Sequence, residues 1–193
     1  MIHWIVLTGG ASSRFGRDKA TAQLVGRSLI DRAMDAIREV DPTATISVVG
    51  SERSGGPASA VVSTLPEVDA DYLGVLAVDM PFARDALAAV MTACCDQVDE
   101  PGAHEQRANE QRADAWVPED ATGRRQWLCA VYRRQSLAEV ARAHADWSSA
   151  PFHRLVADLP TIVVSVPTSV SLLDIDTPED FQRARDVATE LES

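Results

Sequence analysis

Glycines, small hydroxyl residues and cations are concentrated in one stretch, Thr8 to Lys19, directly after a short apolar run. The pair Gly9 and Gly10 lets the backbone turn tightly and approach a ligand closely, because no Cβ atom stands in the way. Backbone N–H groups in such a turn can face an anion, and Arg14 and Lys19 add positive charge. These residue types are the ones that bind a triphosphate, so the stretch predicts nucleotide chemistry.

Two common phosphate-binding motifs do not fit this stretch. A Walker A loop requires Gly-Lys-Ser/Thr four residues after a glycine, and that pattern is missing from the sequence. The glycines at positions 9, 10 and 16 also miss the G-x-G-x-x-G spacing of dinucleotide-binding folds. From local chemistry alone, one alternative is a glycine-rich turn between a strand and a helix whose cations are simply solvated.

The fixed positions of the stretch resemble the signature of the MobA-like nucleotidyltransferases, L-x-G-G-x-S-x-R-M/F-G-x-D-K-A. Every fixed position is present: Leu7, Gly9, Gly10, Ser12, Arg14, Phe15, Gly16, Asp18, Lys19 and Ala20. The resemblance implies that backbone groups of four consecutive residues line the nucleotide pocket, namely Leu7, Thr8, Gly9 and Gly10. It also implies that Arg14 and Lys19 are catalytic residues that stabilise charge on the phosphates and on the leaving pyrophosphate.

A carboxylate follows a second strand-like run. Asp79 comes directly after the apolar run Tyr72 to Val78 and precedes Met80-Pro81-Phe82. Ligands of open α/β sheets bind outside the carboxyl ends of the strands, so we expect Asp79 at the same crevice as the glycine turn. The segment resembles the family's D-M-P-F element, whose aspartate binds Mg²⁺, a cation that prefers oxygen ligands. Asp79 is therefore predicted to be a catalytic, nucleotide-binding and metal-binding residue; the alternative is that it caps the next helix.

A second pair of carboxylates lies near the end of the chain. Residues 173–180 read Leu-Asp-Ile-Asp-Thr-Pro-Glu-Asp. They resemble the family's N-I/V-N-T-P-E-D/E segment, with aspartates at both asparagine positions. Asp174 and Asp176 could hold a second metal ion or orient the acceptor substrate. Alternatively, they only enrich the start of a helix in negative charge, which the helix dipole favours.

Two other segments resemble family elements but depart from them. Gly55 to Ala60 stands where the family has G-P-L-A-G, with the leucine and the last glycine replaced. Gln126 to Tyr132 resembles the strand Q-P-L-x-A-V/L-Y, with Trp127 in place of proline, and its apolar residues are equally typical of sheet core. The nucleobase stays open, because Thr8-Gly9-Gly10 favours guanine whereas the form Asp-Ile-Asp also occurs in the cytidylyltransferase branch.

The elements that must position these residues alternate along the chain. Apolar runs predict strands at Ile2–Leu7, Thr45–Val49, Tyr72–Val78, Trp116–Val117, Trp127–Tyr132 and Thr161–Val166. Helical spacing and capping residues predict helices at Ser28–Val40, Pro57–Leu65, Ala83–Cys95, Gln135–Ala145 and Pro178–Leu191. This alternation predicts right-handed βαβ units in a three-layer α/β/α sandwich with a Rossmann-like, mostly parallel sheet. The resemblance implies the nucleotide-diphospho-sugar transferase type of that fold.

Length and composition define the class of protein. The 193 residues suit one nucleotidyltransferase domain spanning 1–193, with a polar surface insertion at about 96–114. The formal net charge of −11 argues against a nucleic-acid or anionic-membrane surface. The three cysteines lack metal-binding spacing and are expected to be reduced. The first apolar run is too short for a signal peptide or a membrane span, so the expected location is the cytoplasm.

The resemblance also implies a reaction. GMP would be transferred from GTP to the terminal phosphate of molybdopterin, giving the guanine dinucleotide cofactor and pyrophosphate. The expected cofactor is Mg²⁺, and the expected partners are GTP, molybdopterin or the molybdenum cofactor, and cofactor-insertion chaperones or molybdoenzymes. One alternative is a molybdopterin cytidylyltransferase or a related NTP transferase with another acceptor. The other is a catalytically silent homologue that binds nucleotide or cofactor.

Overall fold

The computed structural model describes residues 1–9, 19–50, 55–98, 112–166 and 168–191. Its strands are β1 Ile2–Leu7, β2 Gln23–Leu24, β3 Arg27–Ser28, β4 Thr45–Val49, β5 Tyr72–Ala77, β6 Ala115–Glu119, β7 Cys129–Arg133 and β8 Thr161–Ser165. Its α-helices are α1 Leu29–Val40, α2 Gly56–Thr64, α3 Arg84–Val98, α4 Arg134–Ala143, α5 Phe152–Val156 and α6 Pro178–Leu191. Short 3₁₀ turns lie at Lys19–Thr21, Leu65–Glu67 and Ser169–Leu172.

Six of the strands form one sheet in the order β4-β1-β5-β7-β6-β8, and β2 pairs with β3 in a separate hairpin. β1 is parallel to both β4 and β5, and β6 is parallel to β8. β7 runs antiparallel to its neighbours β5 and β6. The predicted mostly parallel sheet is therefore confirmed. The carboxyl ends of β1, β4 and β5 meet the amino end of β7 at one edge.

Helices cover both faces of the sheet, which confirms the three-layer sandwich. One face packs against α1, α3 and α6 through buried residues that include Trp4, Val6, Leu29, Ile37, Leu87, Val90 and Ala184. The other face packs against α2, α4 and α5 through residues that include Ile5, Leu7, Val61, Val75, Leu137 and Leu155. All six residues of β5 are buried, as expected for a strand that is covered on both faces.

Close packing of β1 against β5 depends on one glycine. A Cβ atom at Gly74 would lie 2.2 Å from Cε3 of Trp4, so only glycine leaves room for the indole ring. Nε1 of Trp4 donates a hydrogen bond to Oδ2 of Asp41 at 3.2 Å, beyond the end of α1. These contacts fix the two central strands whose ends carry Thr8 and Asp79.

Most predicted elements are confirmed within a few residues, but three details differ. The strand predicted from Trp127 begins at Cys129, because the Cys129 N–H donates to the Gln126 carbonyl at 3.0 Å and closes a turn over residues 126–129. α3 continues to Val98, into the predicted insertion, and residues 99–111 of that insertion lie outside the described residues. The hairpin β2–β3 and the helix α5 were not predicted, since both are too short to show a periodic pattern.

Cys94 and Cys129 are buried free thiols, and Cys95 is an exposed one. Within the described part of the chain, no helix has both the length and the apolar character that crossing a membrane would need.

Candidate active site at the carboxyl edge of the sheet

The predicted nucleotide stretch starts where three strands are tied together. The Thr8 N–H donates to the Val49 carbonyl at 2.9 Å, and its hydroxyl reaches the same oxygen at 3.3 Å. The Leu7 carbonyl accepts from the Val78 N–H at 3.0 Å. Leu7 is buried, Thr8 is half-buried and Gly9 is exposed, so the chain emerges at the edge at this point. The other predicted residues of the stretch, Gly10 and Arg14, lie outside the described residues.

Lys19 brings together predicted residues that are far apart in the sequence. Its Nζ donates to Oδ2 of Asp79 at 3.0 Å and to Oδ1 of Asp176 at 3.3 Å. The Lys19 side chain is only 15% exposed, whereas that of Asp176 is 66% exposed. The ammonium group therefore lies between the less exposed carboxylate of Asp79 and the more exposed carboxylate of Asp176.

Asp79 is a carboxyl group whose pKa is raised by its surroundings. Burial raises its pKa; the Lys19 ammonium opposes that shift, and the charges of Asp176 and Asp174 reinforce it. Its backbone carbonyl accepts from the Ile175 N–H at 3.0 Å, which joins the loop after β5 to the segment before α6. Asp79 thus occupies a place where its negative charge needs a cation.

The start of α6 is capped by residues other than Asp174 and Asp176. The Thr177 hydroxyl accepts from the Asp180 N–H at 3.1 Å, and Oδ2 of Asp180 accepts from the N–H groups of Thr177 and Asp176 at 2.8 and 3.1 Å. This reciprocal arrangement is a capping box, and it confirms the predicted helix start with Pro178 as its first residue. The Thr177 hydroxyl also donates to Oδ2 of Asp180 at 2.8 Å, and this bond contributes most to lowering the pKa of Asp180.

The side chains of Asp174 and Asp176 instead reach cations across the edge. Oδ2 of Asp174 accepts from the Arg124 guanidinium at 2.8 Å, and Oδ1 of Asp176 accepts from Lys19. The predicted carboxylates Asp79, Asp174 and Asp176 all line one cleft of about 420 Å³. The geometry therefore gathers the carboxylates around a common space at the carboxyl edge.

Most of the other residues that line this cleft were missed by the sequence analysis. They include Arg124, Arg125, Trp127 and His153, with Pro57 at the start of α2. Among these, Pro57 and Trp127 stood in segments that resembled family elements, and Trp127 was expected to belong to a strand. The pair of adjacent arginines a few residues before a strand was the signal that could have identified this part of the cleft, since two cations close together suit an anionic ligand.

The oxygen donors at the cleft fit a hard divalent cation. Asp79 and Asp176 already share one cationic group, the Lys19 ammonium. In the described residues, no three or more His, Cys, Asp or Glu side chains are grouped closely enough to hold a metal ion by themselves. Mg²⁺ commonly takes one or two carboxylates and completes its shell with water and phosphate oxygens, so this donor set suits it in the presence of a nucleotide.

A sheet of this topology with lysine and aspartates at its carboxyl edge defines a nucleotidyltransferase-type α/β fold. Residues 4–161 match the family described as MobA-like NTP transferase domain, and the chain belongs to this family of nucleotidyltransferases. It is 28% identical over 194 residues to a probable molybdenum cofactor guanylyltransferase from Nostoc sp., covering 92% of this chain and 87% of that relative.

Solved structures show the same fold in proteins with different names. Molybdopterin-guanine dinucleotide biosynthesis protein A from Archaeoglobus fulgidus superposes with a TM-score of 0.67 at 17% identity, covering 97% of this chain and 99% of that chain. The 4-diphosphocytidyl-2C-methyl-D-erythritol synthase from Anaerococcus prevotii gives a TM-score of 0.66 at 11% identity, covering 97% and 98%. The fold alone therefore does not determine the acceptor.

Proposed function

We propose that this protein transfers GMP from GTP to the terminal phosphate of molybdopterin, releasing pyrophosphate. The observation that carries the proposal is the Lys19 ammonium held between Asp79 and Asp176 at the edge where the Gly9 turn begins. The signature around Lys19 and the names of the curated relatives support guanine and molybdopterin as the base and the acceptor.

The proposed reaction requires the protein to position the two substrates and to neutralise phosphate charge, and it requires no nucleophile from the protein. An oxygen of the acceptor phosphate, ionised near neutral pH, forms a bond to the α-phosphorus of GTP. The bond from that phosphorus to the oxygen bridging to the β-phosphate breaks, and pyrophosphate leaves with the electron pair. Such in-line transfer is accelerated mainly by orientation and by charge neutralisation.

The described residues supply these two requirements. Lys19 is already half-buried at the site, and phosphate oxygens can replace its carboxylate partners when the nucleotide binds. Asp79 would hold Mg²⁺, with Asp176 as the next carboxylate. Bound there, the metal ion would neutralise phosphate charge. We assign Arg14 to the same phosphates, and the backbone from Leu7 to Gly10 to the nucleotide pocket. The product would pass to a cofactor-insertion chaperone or to a molybdoenzyme.

One experiment tests the proposal and its alternatives. The protein is incubated anaerobically with molybdopterin, Mg²⁺ and each of the four NTPs in turn, and pyrophosphate release is measured. Turnover with GTP alone is the expected result. Turnover with CTP would transfer the assignment to the cytidylyltransferases, to which the Asp174-Ile175-Asp176 form also points. Nucleotide binding without pyrophosphate release would show a catalytically silent homologue.

A further inference from the structure

Lys19 places a cation of the protein itself between two carboxylates of the cleft. Its Nζ lies 3.0 Å from Oδ2 of Asp79 and 3.3 Å from Oδ1 of Asp176. Among the residues that the structure describes, Lys19 is the one cation that bonds to the Asp79 carboxylate. The ammonium group therefore neutralises the same two carboxylates that the proposed function assigns to Mg²⁺.

The third carboxylate of the cleft is also paired within the protein. Oδ2 of Asp174 lies 2.8 Å from the Arg124 guanidinium. A metal ion that binds Asp79 and Asp176 must break the two ion pairs of Lys19. It would leave the ammonium group without a partner, although the Lys19 side chain is only 15% exposed to water. Leaving a shielded charge unpaired is unfavourable, so the paired arrangement opposes metal binding.

The basic group at this position differs in type from every other one in the chain. The sequence contains 18 lysines and arginines in total, and Lys19 is the single lysine among them. An ammonium group is a compact point charge on a flexible four-carbon stem, whereas a guanidinium group binds a carboxylate through a rigid planar fork. An ammonium group can therefore pass from a carboxylate to a neighbouring phosphate more readily than a guanidinium group can.

We infer that Lys19 keeps divalent metal ions from Asp79 and Asp176 until a polyphosphate binds and draws the ammonium group away. The inference rests on the proposed function, because it takes the nucleotide phosphates to lie beside Lys19. Once the ammonium group bonds to phosphate oxygens, both carboxylates are free to bind Mg²⁺, and the phosphates supply further oxygen ligands. Metal and nucleotide then bind cooperatively, and by linkage each raises the affinity for the other by the same factor.

The affinity for a metal ion in the absence of nucleotide tests this exclusion. Mn²⁺ is the probe, and its free concentration is measured from its electron paramagnetic resonance signal. Lys19→Gln removes the ammonium group and should bind Mn²⁺ about tenfold more tightly than the wild type, because the repulsion by a neighbouring cation is gone. Adding Asp79→Asn to Lys19→Gln should abolish that gain, because the ion then loses its proposed carboxylate ligand.

The matched control is Arg124→Gln, which removes a positive charge from the same cleft and leaves Lys19 on its carboxylates. It should raise the affinity for Mn²⁺ by no more than about threefold, since an exposed charge farther from the ion is screened. Lys19→Arg keeps a cation and should bind Mn²⁺ as weakly as the wild type. Thermal unfolding shows that each variant is folded under the conditions of the titration. A folded Lys19→Gln protein with wild-type affinity for Mn²⁺, or an equal gain in Arg124→Gln, would overturn the inference.

A second measurement uses the wild type alone and decides the question if Lys19→Gln does not fold. Protein made with lysine that carries ¹³C at Cε has one labelled side chain, that of Lys19. In the presence of EDTA, the α,β-methylene analogue of GTP should shift the nuclear magnetic resonance signal of this Cε, because the ammonium group exchanges carboxylates for phosphates. Mg²⁺ alone, at the concentration that saturates the complex with the analogue, should leave the signal in place. A shift with Mg²⁺ alone, or no shift with the bound analogue, would contradict the inference.

Failure of the inference and failure of the proposed function give different results. If GTP and molybdopterin yield pyrophosphate but Lys19→Gln gains no affinity for Mn²⁺, the exclusion of metal is wrong and the function stands. If Lys19→Gln gains affinity for Mn²⁺ but no NTP releases pyrophosphate with the wild type, the transfer reaction is wrong and the exclusion stands.

Discussion

Asp79 is a residue at which the proposed chemistry and the stability of the fold oppose each other. Burial raises its pKa, so the folded protein disfavours the ionised form that a metal ion or Lys19 requires. The nearby carboxylates Asp176 and Asp174 raise the pKa further, and only the ammonium of Lys19 opposes them among the causes of the shift. A residue with no role at the cleft would gain stability by being neutral there.

The variant Asp79→Asn tests this opposition. At pH 7 we expect a higher midpoint of thermal unfolding than in the wild type and a loss of pyrophosphate release by orders of magnitude. Because the pKa of Asp79 is raised in the folded state, its ionisation destabilises the folded wild type, and it does so only at pH values above the ordinary pKa of 3.8. The stability gain should therefore shrink as the pH falls through the raised pKa toward 3.8 and be absent below it.

Two controls accompany this measurement. Asp85→Asn removes an exposed carboxylate in the first turn of α3 and should change neither activity nor the pH dependence of the midpoint by a comparable amount. Lys19→Gln removes the cation instead, so it should lower both the midpoint and the activity. An Asp79→Asn protein with normal pyrophosphate release would contradict the catalytic role. One with a lowered midpoint would show that the contact with Lys19 outweighs the cost of burial.

At the scale of elements, the sequence predicted whether a segment is a helix or a strand better than it predicted the direction of a strand or the residues at which it begins and ends. The apolar runs of β1, β4 and β5 were long enough to identify the strands, but a run of apolar residues does not show that β7 is antiparallel to its neighbours. Trp127 was included in that strand because an aromatic residue suits both a strand and a turn beside it. Only the hydrogen bond that closes the turn at Gln126 excludes it from the sheet.

The residues of the candidate site were likewise predicted only in part. Lys19, Asp79, Asp174 and Asp176 were identified from motifs. In the structure the three aspartates line one cleft, and Lys19 contacts Asp79 and Asp176. Arg124 was not identified, because its partner Asp174 lies 50 residues away and no local pattern joins the two. Contacts of this kind depend on how the strands are ordered in the sheet, and that order follows from the packing of the whole chain.

The helix α6 offers a prediction at this scale. Its capping box also binds the N–H of Asp176, so it positions the segment that carries two cleft carboxylates. Thr177→Ala should lower the free energy of unfolding by about 1 kcal/mol. It should also reduce pyrophosphate release several-fold, because the segment before the helix is less firmly held. Urea unfolding and the pyrophosphate assay measure the two effects.

The matched control is the cap of α1. The Ser28 side chain accepts from the Asp31 N–H at 3.2 Å, as an N-cap in a helix that supplies no residue to the cleft. Ser28→Ala should cost about the same stability and leave the activity unchanged. An equal loss of activity in both variants would mean that Thr177 acts only through overall stability and does not position the carboxylates.

At the scale of the whole molecule, the candidate site is built from residues that are far apart in the sequence. Lys19 contacts residues that lie 60 and 157 positions away, and Arg124 contacts one that lies 50 positions away. These contacts join the turn that begins at Lys19, the loop after the central strand β5, the connection between β6 and β7, and the segment before the last helix. We expect such a distribution to make the described residues unfold as one cooperative unit, and the single domain predicted for residues 1–193 stays a prediction.

The reactivity of the cysteine thiols measures whether the protein unfolds cooperatively. Burial raises the pKa of the Cys94 and Cys129 thiols to about 12, so neither should react with Ellman's reagent at pH 8 in the folded protein. Exposed Cys95 should react quickly and alone, and Cys95→Ser should abolish that fast reaction. In a urea series, Cys94 on α3 and Cys129 on β7 should become reactive at one midpoint, together with the loss of far-ultraviolet circular dichroism. Two separate midpoints would divide the chain into independent units. The residues of the cleft would then come from two units and would meet at the interface between them.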